Sequence, residues 1–291
     1  MTTPEEDHQG LIVTGSRAIV RRMDLRLELV GRLMEEIQTR ESSGTGAELA
    51  ELAATRAISL QGMVQVAAGR LPASSELGSQ SVDPFFIAKT AVTWSEWQTV
   101  RTWAAANGYD LDNVGTGEGP DHPVTNVYWY QSLKWCNARS EMECLTPVYK
   151  VGKMVYRVGD SIPTLDTAAN GYRLPSEKEW EFAARGGVKS NGYKYSGSDD
   201  ISAVAWWHWN TDTGTNAVAT KQANELGLSD MSGNVLEWCF DDPFGSGSRR
   251  VMRGGYWAGY EDDCLIVDRD FNTPTNSNMF IGFRIVRSSV P

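Results

Sequence analysis

The residues best equipped for chemistry in this chain are few and scattered. The cysteines are Cys136, Cys144, Cys239 and Cys264. None forms a CxxC pair or a metal-finger spacing, so they read as isolated buried thiols, with a bridge from Cys136 to Cys239 or Cys264 left open. The histidines His8, His122 and His208 are isolated from one another, which is a poor basis for a facial metal triad. No GxSxG, HExxH or glycine-rich phosphate loop occurs. Carboxylates are plentiful, but Asp262-Asp263 and Asp268/Asp270 carry no positional sign of acid–base pairing and read as solvated charge. The informative stretch is Arg249 to Arg284. It opens on a glycine-punctuated strand signal (Val251, Met252, Gly254, Gly255, Tyr256, Trp257) and closes on another (Phe280 to Val286). Between them lies a run without helical or alternating period, rich in Asp, Asn, Thr and aromatics. Two β-type ends holding an irregular polar and aromatic middle is how a scaffold presents a binding surface.

Composition narrows the classes. With 291 residues, 41% hydrophobic and 22% charged, the chain suits one large or two modest globular domains. Its 11 Trp and 28 Gly point to a loop-rich fold pinned by large aromatics, most of them core. A net charge of -10 argues against nucleic-acid partners and anionic membrane surfaces. No apolar run reaches membrane-spanning length, and the acidic start MTTPEEDHQG lacks a secretory core, which makes a cytoplasmic location the default unless another export route operates.

The elements that must position the stretch can be read in order. Residues 1–14 read as a flexible tail. Ile19, Met23, Leu27, Val30, Met34 and Ile37 share one helical face, ESSGTG breaks it, and Leu49, Leu52, Ala53, Ala57 and Leu60 share another. Residues 15–61 are therefore expected to form a helical hairpin that packs on the main domain or serves oligomerisation or attachment. The character changes at Gly62. GMVQVAAGRL and DPFFIAKTAVT read as strand regions, and WSEWQTVRTWAAANG as a helix with Thr93 and Glu96 as capping box and Asn107-Gly108 as stop. VTNVYWYQSLKWCNARSE gives a helix capped by Thr125 or Asn126, PVYKVGKMVYRVGDS a hairpin turning at Val151 to Lys153, and GYRLPSEKEWEFAARGG a strand, turn and helix with Ser176 and Glu179 as capping box and Gly186 as stop. Short strands and a few helices in a loop-heavy frame make an α+β fold.

These pieces stand in the order of a known family. Gly62-Met63-Val64-Gln65-Val66, Ala91-Val92-Thr93-Trp94-Ser95-Glu96-Trp97, His122-Pro123-Val124 with Val127-Tyr128-Trp129, and Tyr172-Arg173-Leu174-Pro175-Ser176-Glu177-Lys178-Glu179-Trp180 through Gly187 come first. Asn224 to Trp238, Val251-Met252-Arg253-Gly254-Gly255-Tyr256-Trp257 and Ile281-Gly282-Phe283-Arg284 follow. Over roughly residues 62–288 the chain resembles the sulfatase-modifying-factor family, best known for formylglycine-generating enzyme. The resemblance implies an elaborated C-type-lectin-like domain over 62–291, with the hairpin outside it.

What the resemblance implies about chemistry is mixed. The family's enzymes place two cysteines after the Gly254-Gly255-Tyr256-Trp257 motif, at positions that here are Gly259 and Cys264. A lone thiol cannot hold Cu(I) as a pair does, and the family's iron branch needs a three-histidine site, so neither copper nor iron is expected. The family also wraps a calcium ion with the segment matching Asp230 to Glu237, which makes Asp230, the carbonyls of Gly233 and Val235, and Glu237 the candidates for a structural calcium. The bland alternative is that Asp230 caps a turn and Glu237 pairs with an arginine. Leu236 stands where the family usually has Trp.

A non-catalytic branch with this fold is similar in a further respect. In the variable proteins of diversity-generating retroelements, a rewritten C-terminal stretch lies between motifs like these, which here would be 253–284. Usual members have Ser where this chain has Tyr256. Tyr, Asp, Gly, Ala, Val, Leu, Phe and Thr can all arise from an Asn codon changed at its first two bases, whereas Trp257, Glu261 and Met279 cannot. The residues expected on the binding surface are Tyr256, Ala258, Gly259, Tyr260, Asp262, Asp263, Leu265, Val267, Asp270, Phe271, Thr273, Thr275 and Phe280. Aromatics would anchor a partner, most often a protein, with Trp257 and Phe280 the ones expected to turn into the core. A formylglycine-generating-type oxidoreductase, or a degenerate relative with Cys264 as remnant, is the competing class. A domain serving assembly alone is the third.

Overall fold

The computed structural model describes residues 60–111 and 114–289. The expected tail at 1–14 and all but the end of the expected hairpin at 15–61 lie outside them. The remainder is α+β and loop-rich. Two four-stranded sheets carry it. In the first, Met63–Val66, Phe85–Ala88, Val286–Ser288 and Tyr172–Arg173 run antiparallel in that order, so the C-terminal strand lies between early ones and closes the domain. In the second, the order is Asp270–Asn272, Arg250–Arg253, Leu236–Trp238, Ile281–Gly282, with only the last pair parallel. The expected first strand region divides in two, Met63–Val66 and Gly69–Arg70. The Asp270–Asn272 strand was not expected. Its pairing with Arg250–Met252 gives the supposedly irregular middle a regular edge.

The helices follow their local signals. Helix α1, Trp94–Ala106, starts at Thr93, whose hydroxyl accepts from the Glu96 amide while the Glu96 carboxylate accepts from the Thr93 amide. Helix α2, Trp129–Met142, begins differently from the expected cap. Thr125 and Asn126 are occupied with Thr116, and the carboxamide oxygen of Gln131 accepts from the Tyr128 amide instead. Helix α3, Glu177–Ala184, has the expected Ser176–Glu179 box, and Gly186 follows at a φ of 90° that favours glycine. Helix α4 is the single turn Ile201–Val204. The hairpin Tyr149–Val151 with Met154–Val155 turns at Gly152 as expected.

Aromatics hold the core. Trp97 and Trp135 stack at 6.1 Å, and Phe283 sets its edge against both, at 6.0 and 5.4 Å. Edge-to-face pairs of this kind add about 0.5–1.5 kcal/mol each beyond area burial. They join α1, α2 and the closing motif of the Arg249–Arg284 stretch in one cluster. Trp129, Trp180 and Trp238 are also fully buried, whereas Trp209 is exposed.

Candidate functional surface

The stretch is clamped at both ends by buried charge. Helical spacing puts Glu177, Trp180 and Glu181 on one face of α3, turned to the second sheet. Arg253, at the end of the Arg250–Arg253 strand, donates to Glu181 at 3.0 Å and to the Ile266 carbonyl at 2.9 Å, and lies 3.5 Å from Glu177. At the other end, Arg284 donates to both oxygens of Glu237, at 2.8 and 3.0 Å, and to the Ser229 and Ala88 carbonyls. Both guanidiniums are fully buried. Gly254 and Gly255 then turn the chain at φ of 99° and 72°. A Cβ on Gly255 would lie 2.5 Å from the Asp263 carbonyl, so a side chain is excluded by contact as well as by conformation.

Between the clamps the chain mixes pinned, half-buried and exposed residues. Cys264 and Ile266 are buried, and Arg269 forks onto Glu177 at 2.6 and 2.8 Å. These pin the middle to the frame. Tyr260, Asp262, Val267, Asp270, Thr273 and Thr275 are exposed. Tyr256, Ala258, Asp263, Leu265 and Phe271 are half-buried. Gly259 is buried, and its carbonyl accepts from the His208 amide at 3.0 Å, so it supports the surface without presenting a side chain. Trp257 and Phe280 do not enter the core as expected. Their rings meet at a tilt, 5.2 Å apart and half-buried, with Tyr256 4.8 Å from Phe280.

A second loop, unexpected from the sequence, contributes to the surface. His208 lies against Tyr260 at 4.7 Å and against Trp209 at 4.5 Å, and Trp209 is 71% exposed. Asn234 organises the junction: its amide donates to the Trp206 carbonyl and its carbonyl accepts from the Trp257 amide. The signal was present as Trp206-Trp207-His208-Trp209, but a run of aromatics does not tell which of them faces water.

The same segment carries the candidate calcium ligands. Glu237 is fully buried, and its oxygens accept from Arg284 and from the Trp180 indole at 2.7 Å. Asp230 accepts from the Ala219 amide with one oxygen, the other being buried without a partner, and burial pushes its carboxyl up to about 6. Arg284 and Trp180 thus engage both oxygens of Glu237, while the partnerless buried oxygen of Asp230 is an acceptor that a hard cation could take beside the carbonyls of Gly233 and Val235. The bland alternative for Glu237 is the one seen.

All four cysteines are unpaired, which closes the disulfide left open by spacing. Cys264 is buried, and burial, with Asp263 nearby, pushes its thiol up to about 12, against the thiolate that copper or a nucleophile needs. Gly259 supplies no second sulfur. Cys136 and Cys239 are raised by burial too, while Cys144 is exposed. Iodoacetamide at neutral pH is accordingly expected to label Cys144 alone in the folded protein and the other three only after denaturation. Labelling of Cys264 in the native state, read by peptide mass, would show an accessible thiolate. His122 contacts Thr215 at 3.0 Å, whereas His208 lies against Trp209 and Tyr260. Among the described residues, no helix is long and apolar enough to cross a membrane.

The chain matches the family model for the sulfatase-modifying factor enzyme 1-like domain over residues 49–289. It is similar to the chaperone protein LppX of Paenibacillus barcinonensis, 36% identical over 61% of this chain and 71% of that one. It is also similar to the formylglycine-generating enzyme of Streptomyces coelicolor, 34% identical over 65% of this chain and 59% of that one. Among solved structures, Treponema denticola variable protein 1 superposes with a TM-score of 0.64 at 30% identity, covering 77% of this chain and 94% of that one. The described domain therefore has the C-type-lectin-like fold of the formylglycine-generating-enzyme type.

Proposed function

The chain belongs to the sulfatase-modifying-factor family, and from that premise we propose that it is a non-catalytic, partner-binding member, the variable protein of a diversity-generating retroelement. Its binding surface is the 256–280 stretch, and its partner is a protein. The observation that carries this reading is the division of that stretch into pinned and presented residues. Arg253, Cys264, Ile266, Arg269 and Arg284 are bound into the frame, while Tyr260, Asp262, Val267, Asp270, Thr273 and Thr275 face solvent. Exposed side chains that lie beneath no other residue can be exchanged with little disturbance to the fold. Two similarities support the reading, one to a variable protein and one to a protein named as a chaperone. The expected helical hairpin at 15–61 is proposed to attach the domain or join copies of it.

The enzymatic alternative has the 34% identity to a formylglycine-generating enzyme in its favour. Against it stand Gly259 at one expected thiol position and the buried, protonated Cys264 at the other. The test is the genomic locus, sequenced in independent isolates. The expected result is a reverse-transcriptase gene beside a near-copy of the 253–284 coding stretch, with differences at adenines that fall on codons for the presented residues. A locus without that copy, or copper-dependent thiol oxidation by the purified chain, would overturn the proposal.

A further inference from the structure

We propose that Trp209, His208 and Tyr260 form a docking face for a lysine- or arginine-bearing segment of the partner protein. The inference rests on the recognition reading above and names the chemistry that the surface selects. Trp209 is 71% exposed and Tyr260 57%, large aromatic areas that a folded chain seldom leaves open without use. They are not two stray rings. His208 touches both, at 4.5 and 4.7 Å, and the His208 amide bonds the Gly259 carbonyl, so two loops present one face. The turn beneath is held by Asn210, whose carboxamide accepts from the Trp207 amide and donates to the Ala205 carbonyl, both at 2.9 Å.

Charge decides the occupant. Glu261 and Asp262 adjoin Tyr260 and are exposed, as is Asp212 on the Trp209 loop. Among the described residues none of these three forms an ion pair. The segments 205–216 and 256–268 contain no Lys or Arg. Of the cations near them, Lys221 sits over Trp206 and donates to Ser202 and Arg269 is held by Glu177, while Lys194, whose carbonyl accepts from the Ile266 amide, is exposed. Electron-rich ring faces flanked by unpaired carboxylates attract a side-chain cation and repel an acidic one. An apolar partner would strand the carboxylates, so the cationic segment is the occupant that fits both features.

The test is selection of a random peptide library displayed on phage against the full chain, followed by titration of the selected peptides. The expected outcome is enrichment of Lys and Arg, with binding weakened about tenfold by Trp209→Ala, the size of a cation–π contact that is partly desolvated. The pair Glu261→Lys and Asp262→Lys, both at exposed positions, is expected to weaken it similarly while leaving the near-ultraviolet circular dichroism unchanged. Selected peptides without cationic enrichment, or binding that survives Trp209→Ala, overturn this inference. If such binding is instead lost in Val267→Asp or Phe271→Ala, the recognition reading stands without it. Failure to select any peptide sensitive to changes between 256 and 280 overturns both.

Discussion

Arg284→Ala is expected to lower the unfolding free energy by about 3–5 kcal/mol, the cost of leaving a buried carboxylate without its partner. Arg284 is fully buried, with Glu237 its ion-pair partner, at 0% exposure on both sides. The Trp180 indole still donates to Glu237 in the variant, but one neutral donor does not offset a missing guanidinium. Two carbonyls, Ala88 and Ser229, lose a donor at the same time. The double variant Arg284→Met with Glu237→Leu separates these contributions. Removing both charges avoids the stranded carboxylate, so the pair is expected to recover part of the loss, with the two orphaned carbonyls as the residue. Urea unfolding followed by fluorescence and circular dichroism measures all three proteins. A loss below about 1 kcal/mol for Arg284→Ala, in the range of exposed pairs, would show that water reaches Glu237 and that the frame is not clamped as described.

That clamp also explains what could be read from the chain beforehand. Thr93 with Glu96 and Ser176 with Glu179 are local, each completed within four residues, and both boxes appear where their spacing puts them. The family motifs carried the domain and the position of the stretch. Glu237 shows where local reading ends. Its segment looks like a cation loop in isolation, and nothing local shows that an ion-pair partner arrives 47 positions later in the chain. The same holds for the Asp270–Asn272 strand, whose composition is that of a loop and whose order comes from pairing with Arg250–Met252. Thr125 and Asn126 have the right types for a helix cap, yet a neighbouring turn claims them, and Gln131 does the capping. For the surface itself, residue type indicated that aromatics and acids would serve recognition. Only the packing of His208 against Tyr260 shows that a second loop shares in it.

Replacing Tyr260, Asp262, Val267, Asp270, Thr273 and Thr275 together by serine is expected to abolish binding of peptides selected on the parent chain, by about a hundredfold or more, while barely changing stability. The binding loss follows because a few central anchors carry most of an interface's energy, each about 2 kcal/mol or more on truncation. The stability result follows because exposed substitutions away from caps and ion pairs each stay within about 0.5 kcal/mol. Tyr260 gives up a ring contact with His208, and Asp270 a short bond to the Phe271 amide, but neither lies beneath another residue. A single change at a pinned position should behave in the opposite way. Ile266 is 2% exposed, its carbonyl accepts from Arg253, and Ile266→Ala is expected to cost about 2–5 kcal/mol through the cavity it leaves. Thermal unfolding of the two variants beside the parent decides between the accounts. If the sixfold replacement melts the domain while Ile266→Ala does not, the presented residues are structural and the stretch cannot be a replaceable surface. If both stability results come out as expected and binding persists in the sixfold variant, the frame is right and the partner is held elsewhere.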